Sequence, residues 1–313
     1  MRRLIAFFKL IRWPNLVFIV ITQVLFLFFI IQPVLLKNNS TGLRVNYFIP
    51  LCLASVLIAA AGYIINDYFD RNIDEINKPS KVIIDKIIKR RWAILLHLLL
   101  SGAGLMISLY VSLKTTPIIV IGNFACIILL WFYSTTFKKK LLVGNVIISA
   151  LTAWVILVIY FSIDKGYSFY TLNGSVNIPI HKLFRFTILY SSFAFIISLI
   201  REVVKDIEDY EGDVKYNCTT MPVVWGFPVS KMFAAVWVIV LIGALVIIQF
   251  YVMQLGWWLS IIYALIFLIV PLLFALIKLY RANSSADFHS ISNLIKMIMF
   301  AGILSMVFIK FYY

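Results

Sequence analysis

Asp67, Asp70 and Asp74 stand at the spacing i, i+3, i+7, and Asp206, Asp209 and Asp213 repeat it later in the chain. Ten of the thirteen acidic residues lie in these two short segments, although the chain carries a formal charge of +15. On a helix this spacing stacks the carboxylates on one face over two turns. Stacked like charges repel, so each ladder calls for a cation. Hard divalent ions take oxygen ligands, and Mg²⁺ typically binds a few carboxylates together with the phosphate oxygens of a substrate. The six aspartates are therefore the expected Mg²⁺ ligands, and Asn66 adds a neutral carbonyl oxygen. Two ladders imply two clamps on one diphosphate. Mg²⁺ bridging carboxylate and phosphate neutralises a leaving diphosphate and so helps an allylic ester to ionise, a step expected of Asp67, Asp70, Asp206 and Asp209.

The elements that hold these residues must be membrane helices. With 63% hydrophobic and 16% aromatic residues and a mean hydropathy of +1.00, the chain has too few polar groups to cover a soluble domain. Apolar runs of about 20 residues, enough to cross the hydrocarbon core, are expected at Leu16 to Leu36, Tyr47 to Ile65, Trp92 to Ser112, Pro117 to Thr135 and Val143 to Phe161. Four more follow at Phe184 to Val204, Ser230 to Met253, Trp257 to Tyr280 and Asn293 to Phe311. The fold class is an all-α integral membrane protein, with nine transmembrane helices in one bundle and one domain over residues 1–313. With the N-terminus cytoplasmic and the C-terminus outside, 21 of the 28 Lys and Arg residues fall on the cytoplasmic side. Lys296 is counted there, in the connection between the last two spans.

This topology puts both ladders at cytoplasmic helix exits. A plain exit on that side should be basic, so acids at the boundary need a functional reason. The inner (cytoplasmic) membrane and its anionic lipids account for the basic charge without nucleic acid. The first apolar run is a full span with no small-residue cleavage site after it, so no cleavable signal is expected. Cys52, Cys126 and Cys218 form no disulfide framework or zinc motif. For a leaving diphosphate the expected cations are Arg71, Lys78, Lys81, Lys138, Arg201 and Lys205, with Arg suited to bidentate contact. Tyr68, Phe69 and Tyr133 are the aromatic faces expected to line the prenyl pocket and stabilise a developing carbocation.

The string Asn66-Asp67-Tyr68-Phe69-Asp70-Arg71-Asn72-Ile73-Asp74 after the second span, with a second aspartate motif after the sixth of nine, resembles the UbiA superfamily of intramembrane prenyltransferases. Accessory matches are Arg12-Trp13-Pro14-Asn15, Asn77-Lys78-Pro79, Tyr133-Ser134, Phe137-Lys138 and Met221-Pro222. One departure is Ile83-Ile84-Asp85, where the family often has a Ser-Gly turn. The resemblance implies Mg²⁺-dependent prenyl transfer from an allylic diphosphate to a lipophilic acceptor, with Arg12 and Asn15 near the prenyl or acceptor pocket. The segments 66–71 and 205–213 look most like the branch that prenylates geranylgeranylglyceryl phosphate. That implies an anionic acceptor, for which Arg12 or the run Lys138 to Lys140 would serve. An aromatic acceptor, such as a hydroxybenzoate or a quinone precursor, is the alternative. A cation transporter fits less well, because the spans carry almost no charge to line a path. A CDP-alcohol phosphotransferase would need an Asp-Gly and Ala-Arg lead-in that neither ladder has.

Overall fold

The computed structural model describes residues 2–36, 45–77, 83–163, 170–171, 174–175 and 180–312. Lys78 and Lys81 lie outside the described residues, with Pro79 of the accessory motif. Among the described residues nine helices are long and apolar enough to cross a membrane: Trp13–Leu35, Tyr47–Ile76, Arg90–Lys114, Ile118–Thr135, Val143–Ser162, His181–Glu208, Met221–Gln254, Trp258–Arg281 and Ser285–Ile309. We number them spans 1 to 9. A short helix, Arg2–Leu10, precedes span 1, and another, Tyr210–Lys215, follows span 6.

The number and order of spans agree with the hydropathy pattern, and several ends move for local reasons. Span 2 belongs to one helix, Val45–Asn77, and does not stop at Ile65. From Tyr63 to Lys78 the sequence has neither Gly nor Pro, so nothing breaks the backbone and the first ladder rides on the same helix. Span 7 starts at Met221, nine residues before the expected Ser230, behind Thr220 and with Pro222 in its first turn; Gly226, at φ 78, then bends it. Span 9 starts at Ser285 rather than Asn293. Ser284 and Asp287 form a reciprocal capping box that fixes this start. Lys296, counted with the connection for its charge, lies inside this helix, as it also does with the expected start at Asn293. The loop expected to be irregular, Asp164 to Leu183, contains one paired element among its described residues, in which Tyr170–Thr171 and Gly174–Ser175 run antiparallel.

Water is scarce between membrane helices, so buried polar side chains bond across them. Gln23 Nε2 of span 1 donates to Ser55 Oγ of span 2 at 3.0 Å and to the Val155 carbonyl of span 5 at 3.1 Å. Asn123 of span 4 donates to Ser108 Oγ of span 3 and accepts from the Trp154 indole of span 5. These contacts lock spans 1 to 5 together. A separate apolar cluster of Ile200, Val204, Val238, Leu272, Ile291 and their neighbours packs spans 6 to 9. The short helix Tyr210–Lys215 lies directly against the helix of the first ladder.

Candidate active site

The first ladder is built on an unbroken helix, so its three carboxylates share one face. Asp70 is 3% exposed and accepts from Asn66 Nδ2 at 2.7 Å and from the ammonium of Lys138. Asp67 accepts from Arg12 Nη2 at 2.6 Å. Arg12 reaches it because the chain turns sharply between the first helix and span 1: Arg12 has φ 51, a left-handed conformation rare for a non-glycine residue. The guanidinium also lies 5.1 Å from the centre of the Tyr63 ring, one turn inward of Asp67. Burial works against the Arg12 charge, but Asp67 more than restores it, and its pKa stays above the ordinary value.

Lys138 stands on a single 3₁₀ turn, Phe137–Lys139, between spans 4 and 5. Gly144, in the first turn of span 5, makes room for it. A Cβ there would lie 2.9 Å from the Phe137 carbonyl oxygen, 3.0 Å from Lys138 Cα and 3.2 Å from the Tyr133 ring. From the other side, the amide and hydroxyl of Thr219 both donate to the Lys139 carbonyl at 2.8 Å. The turn is thus tied to the first ladder through Asp70 and to the loop of the second through Thr219. Burial opposes the Lys138 charge, while Asp70 and the neighbouring carboxylates outweigh it and hold its pKa above the ordinary value.

The second ladder is kinked. Its helix ends at Glu208, Asp209 leaves helical geometry at φ −93 and ψ 10, and helix resumes at Tyr210. The expectation of one straight face over Asp206, Asp209 and Asp213 is corrected accordingly. Asp206 accepts from Asn145 Nδ2 of span 5 at 2.7 Å, and Asp213 accepts from Thr220 Oγ1 at 2.9 Å. Burial pushes the Asp213 carboxyl up to about 6, against its hydrogen bond from Thr220; the charges of Lys138 and Asp70 both reach it. The two ladders therefore converge, with Lys138 at their junction.

The other sequence candidates divide by helix phase. Tyr133 lies within the electrostatic reach of Lys138, Glu202, Asp70 and Asp206. Phe69 is two residues from Asp67, so it emerges on the opposite side of the helix, where it packs on Trp131. Tyr68 turns toward Arg90, whose guanidinium lies 6.0 Å from its ring centre. Neither joins the carboxylate face; Tyr63, missed in the sequence, does. Arg71 points away from the ladder to Glu75 and Asp85, at 3.2 and 3.0 Å. Asp85, the departure from the family pattern, also binds Arg90 at 2.8 Å and closes this loop with an ionic clasp. Arg201 and Lys205 both bond the buried carboxylate of Glu202 at 3.1 Å. Asn15 accepts from Lys296 Nζ at 3.2 Å and lies beside Tyr63. Asn145, Thr220, Gly144, Glu202 and Lys296 were not legible as site residues, since each owes its place to a contact far along the chain.

The donor set fits Mg²⁺. Its atoms are hard oxygens, and Asn66 Oδ1 is buried without a partner, as a vacant carbonyl ligand would be. Among the described residues no three His, Cys, Asp or Glu side chains converge into a metal cage. A Mg²⁺ ion that shares its shell with a substrate diphosphate needs only one or two carboxylates from the protein. Arg12 and Lys138 occupy the cation positions that the carboxylates require.

With this geometry in place, comparison with known proteins gives a consistent picture. The UbiA prenyltransferase family model matches residues 24–301. Digeranylgeranylglyceryl phosphate synthase of Methanothermobacter thermautotrophicus is 32% identical over 250 residues, covering 78% of this chain and 79% of that protein. A solved structure of a digeranylgeranylglyceryl phosphate synthase superposes with a TM-score of 0.61 at 25% identity, over 98% of both chains. A UbiA homologue from Archaeoglobus fulgidus, solved bound to DMAPP and Mg²⁺, superposes with a TM-score of 0.57 over 96% of this chain and 99% of its own; at 18% identity that likeness is one of fold. The chain belongs to the UbiA prenyltransferase family.

Proposed function

We propose that this prenyltransferase transfers a geranylgeranyl group from its allylic diphosphate to geranylgeranylglyceryl phosphate, in a Mg²⁺-dependent reaction at the ladder end of the bundle. The bond from the allylic carbon to the diphosphate oxygen breaks, the acceptor hydroxyl oxygen bonds to that carbon, and the hydroxyl proton passes to the released diphosphate. The observation that carries this reading is Lys138, seated between two converging carboxylate ladders and paired with Asp70. Asn66, Asp67, Asp70 and Asp74 would hold Mg²⁺ on one side, and Asp206, Asp209 and Asp213 on the other. Mg²⁺ bound there supplies the positive charge that makes diphosphate a good leaving group. Lys138, paired with Asp70 in the absence of substrate, would be the cation nearest the diphosphate, with Lys205 behind it and Lys78 and Lys81 as further cations. Tyr63 and Tyr133 offer ring faces near the reacting carbon. The whole chain acts as one domain. The charge distribution supports a cytoplasmic N-terminus and ladder end, an outward C-terminus and the cytoplasmic membrane as its location.

The names of its relatives support the glyceryl phosphate acceptor. Purified protein in detergent, given geranylgeranyl diphosphate, Mg²⁺ and both geranylgeranylglyceryl phosphate and a hydroxybenzoate, should yield the diether phosphate by mass spectrometry. A product formed only from the aromatic acceptor would overturn this assignment.

A further inference from the structure

Lys296 is the least expected charge in the molecule. It lies eleven residues into span 9, roughly 16 Å along the helix from Ser285. An ionisable residue within a membrane-spanning helix is costly, faces the bundle interior and is ordinarily paired. Among the described residues Lys296 has no carboxylate partner. Its ammonium is hydrogen-bonded to the neutral Asn15 Oδ1 at 3.2 Å, and the charged group whose field reaches it is another cation, Arg201.

Arg201 is only partly compensated in its turn. One end of its guanidinium bonds Glu202, a carboxylate it shares with Lys205, while its Nε is buried with no partner. A buried, unpaired N–H and a carboxylate-free ammonium on two spans packed against each other form an arrangement short of one anion. Tyr63, which lies beside Asn15, carries the Arg12 guanidinium on its ring and is within reach of the Arg201 charge, stands between this cluster and the first ladder. The cluster therefore borders the aspartate site without belonging to it. It is assembled from spans 1, 6 and 9, and span 9 packs on both of the others.

We propose that Lys296, with Asn15 and the free Nε edge of Arg201, forms the binding site for the phosphate monoester of the acceptor. A phosphate there supplies the missing negative charge and accepts from both cations. It also leaves the aspartate ladders to the diphosphate, so that two anionic substrates are sorted by the counter-charge each requires: a phosphate monoester to bare cations, a diphosphate to metal-loaded carboxylates. This inference rests on the phosphate-bearing acceptor proposed above.

The test is steady-state kinetics of Lys296→Gln and Lys296→Arg in the full-length protein. The probes are geranylgeranylglyceryl phosphate and the same glyceryl ether without its phosphate. Lys296→Gln, which keeps a hydrogen-bonding group for Asn15, should raise KM for the phosphorylated acceptor roughly 10- to 100-fold, the scale of one charge-assisted contact. KM for geranylgeranyl diphosphate and turnover of the unphosphorylated ether should stay within about twofold, and Lys296→Arg should restore most of the loss. Unchanged KM for the phosphorylated acceptor in Lys296→Gln, with wild type active on it, overturns the inference and leaves the acceptor assignment standing. A rise in KM for geranylgeranyl diphosphate instead assigns Lys296 to the other anion and also overturns it. Wild type that prenylates only an aromatic acceptor removes the inference and the acceptor assignment together.

Discussion

The two aspartate ladders share a spacing and differ in almost everything that holds them. The first lies on an unbroken helix and is already matched to cations, Arg12 on Asp67 and Lys138 on Asp70. The second is kinked at Asp209 and matched to neutral donors, Asn145 on Asp206 and Thr220 on Asp213. The physical consequence is a division of labour. Arg12 and Lys138 already hold Asp67 and Asp70, so a divalent ion bound there would compete with them for these carboxylates and would leave Lys138 to the diphosphate. At the second, the hydrogen bonds that Asp206 and Asp213 accept come from neutral groups, so a cation bound there would add charge rather than compete with it. A ladder on an unbroken helix with cationic partners stands against a kinked ladder with neutral ones.

Mutations can break this asymmetry in order of size. Asp70→Asn removes the one carboxylate that binds Lys138, and turnover should fall about a thousandfold or more, on the scale of losing a principal electrostatic contact to the transition state. Lys138→Met tests the cationic partner. With Asp70 relieved of its ammonium, Mg²⁺ should bind no more weakly, while kcat should drop about 100-fold for want of a cation on the leaving group. Parallel Mg²⁺ titrations of activity separate the two effects. Asn66→Ala and Asn145→Ala compare the ladders directly. The first deletes a carbonyl ligand and should raise the Mg²⁺ requirement about tenfold; the second deletes only an orienting donor on Asp206 and should raise it less, a few-fold. Gly144→Ala, which forces a methyl against the Lys138 turn, should cost about 1–3 kcal/mol of stability by overpacking and slow turnover modestly, checked by thermal melting beside kinetics. The smallest effect is expected at Asp85→Asn. Its clasp on Arg71 and Arg90 is half-exposed, of the kind worth under about 1 kcal/mol, so activity should stay within about twofold.

The same comparison shows what was legible in the sequence. Six aspartates at a repeated spacing have no ordinary reason to exist in so apolar a chain, so both ladders, the nine spans and their order could be read directly. Contacts between distant segments could not: nothing in the string links Lys138 to Asp70 or Asn145 to Asp206, and the need for Gly144 appears only once a turn lies on it. Other differences had a local signal. Ser284 and Asp287 spell a capping box, which moves the start of span 9 from Asn293 to Ser285. The phase of 100° per residue that aligns Asp67 with Asp70 also turns Phe69 to the far side and brings Tyr63 to the near one. The kink at Asp209 had no such signal, because Ile207, Glu208 and Tyr210 are all compatible with helix.

The central claim is that both ladders act on one diphosphate. Its most direct test is the Mg²⁺-dependent release of diphosphate from geranylgeranyl diphosphate by Asp67→Ala and Asp206→Ala, each shown by its melting curve to be folded. The account predicts that either substitution alone abolishes release, since each removes one jaw of a single site. Release near the wild-type rate in either variant would contradict it.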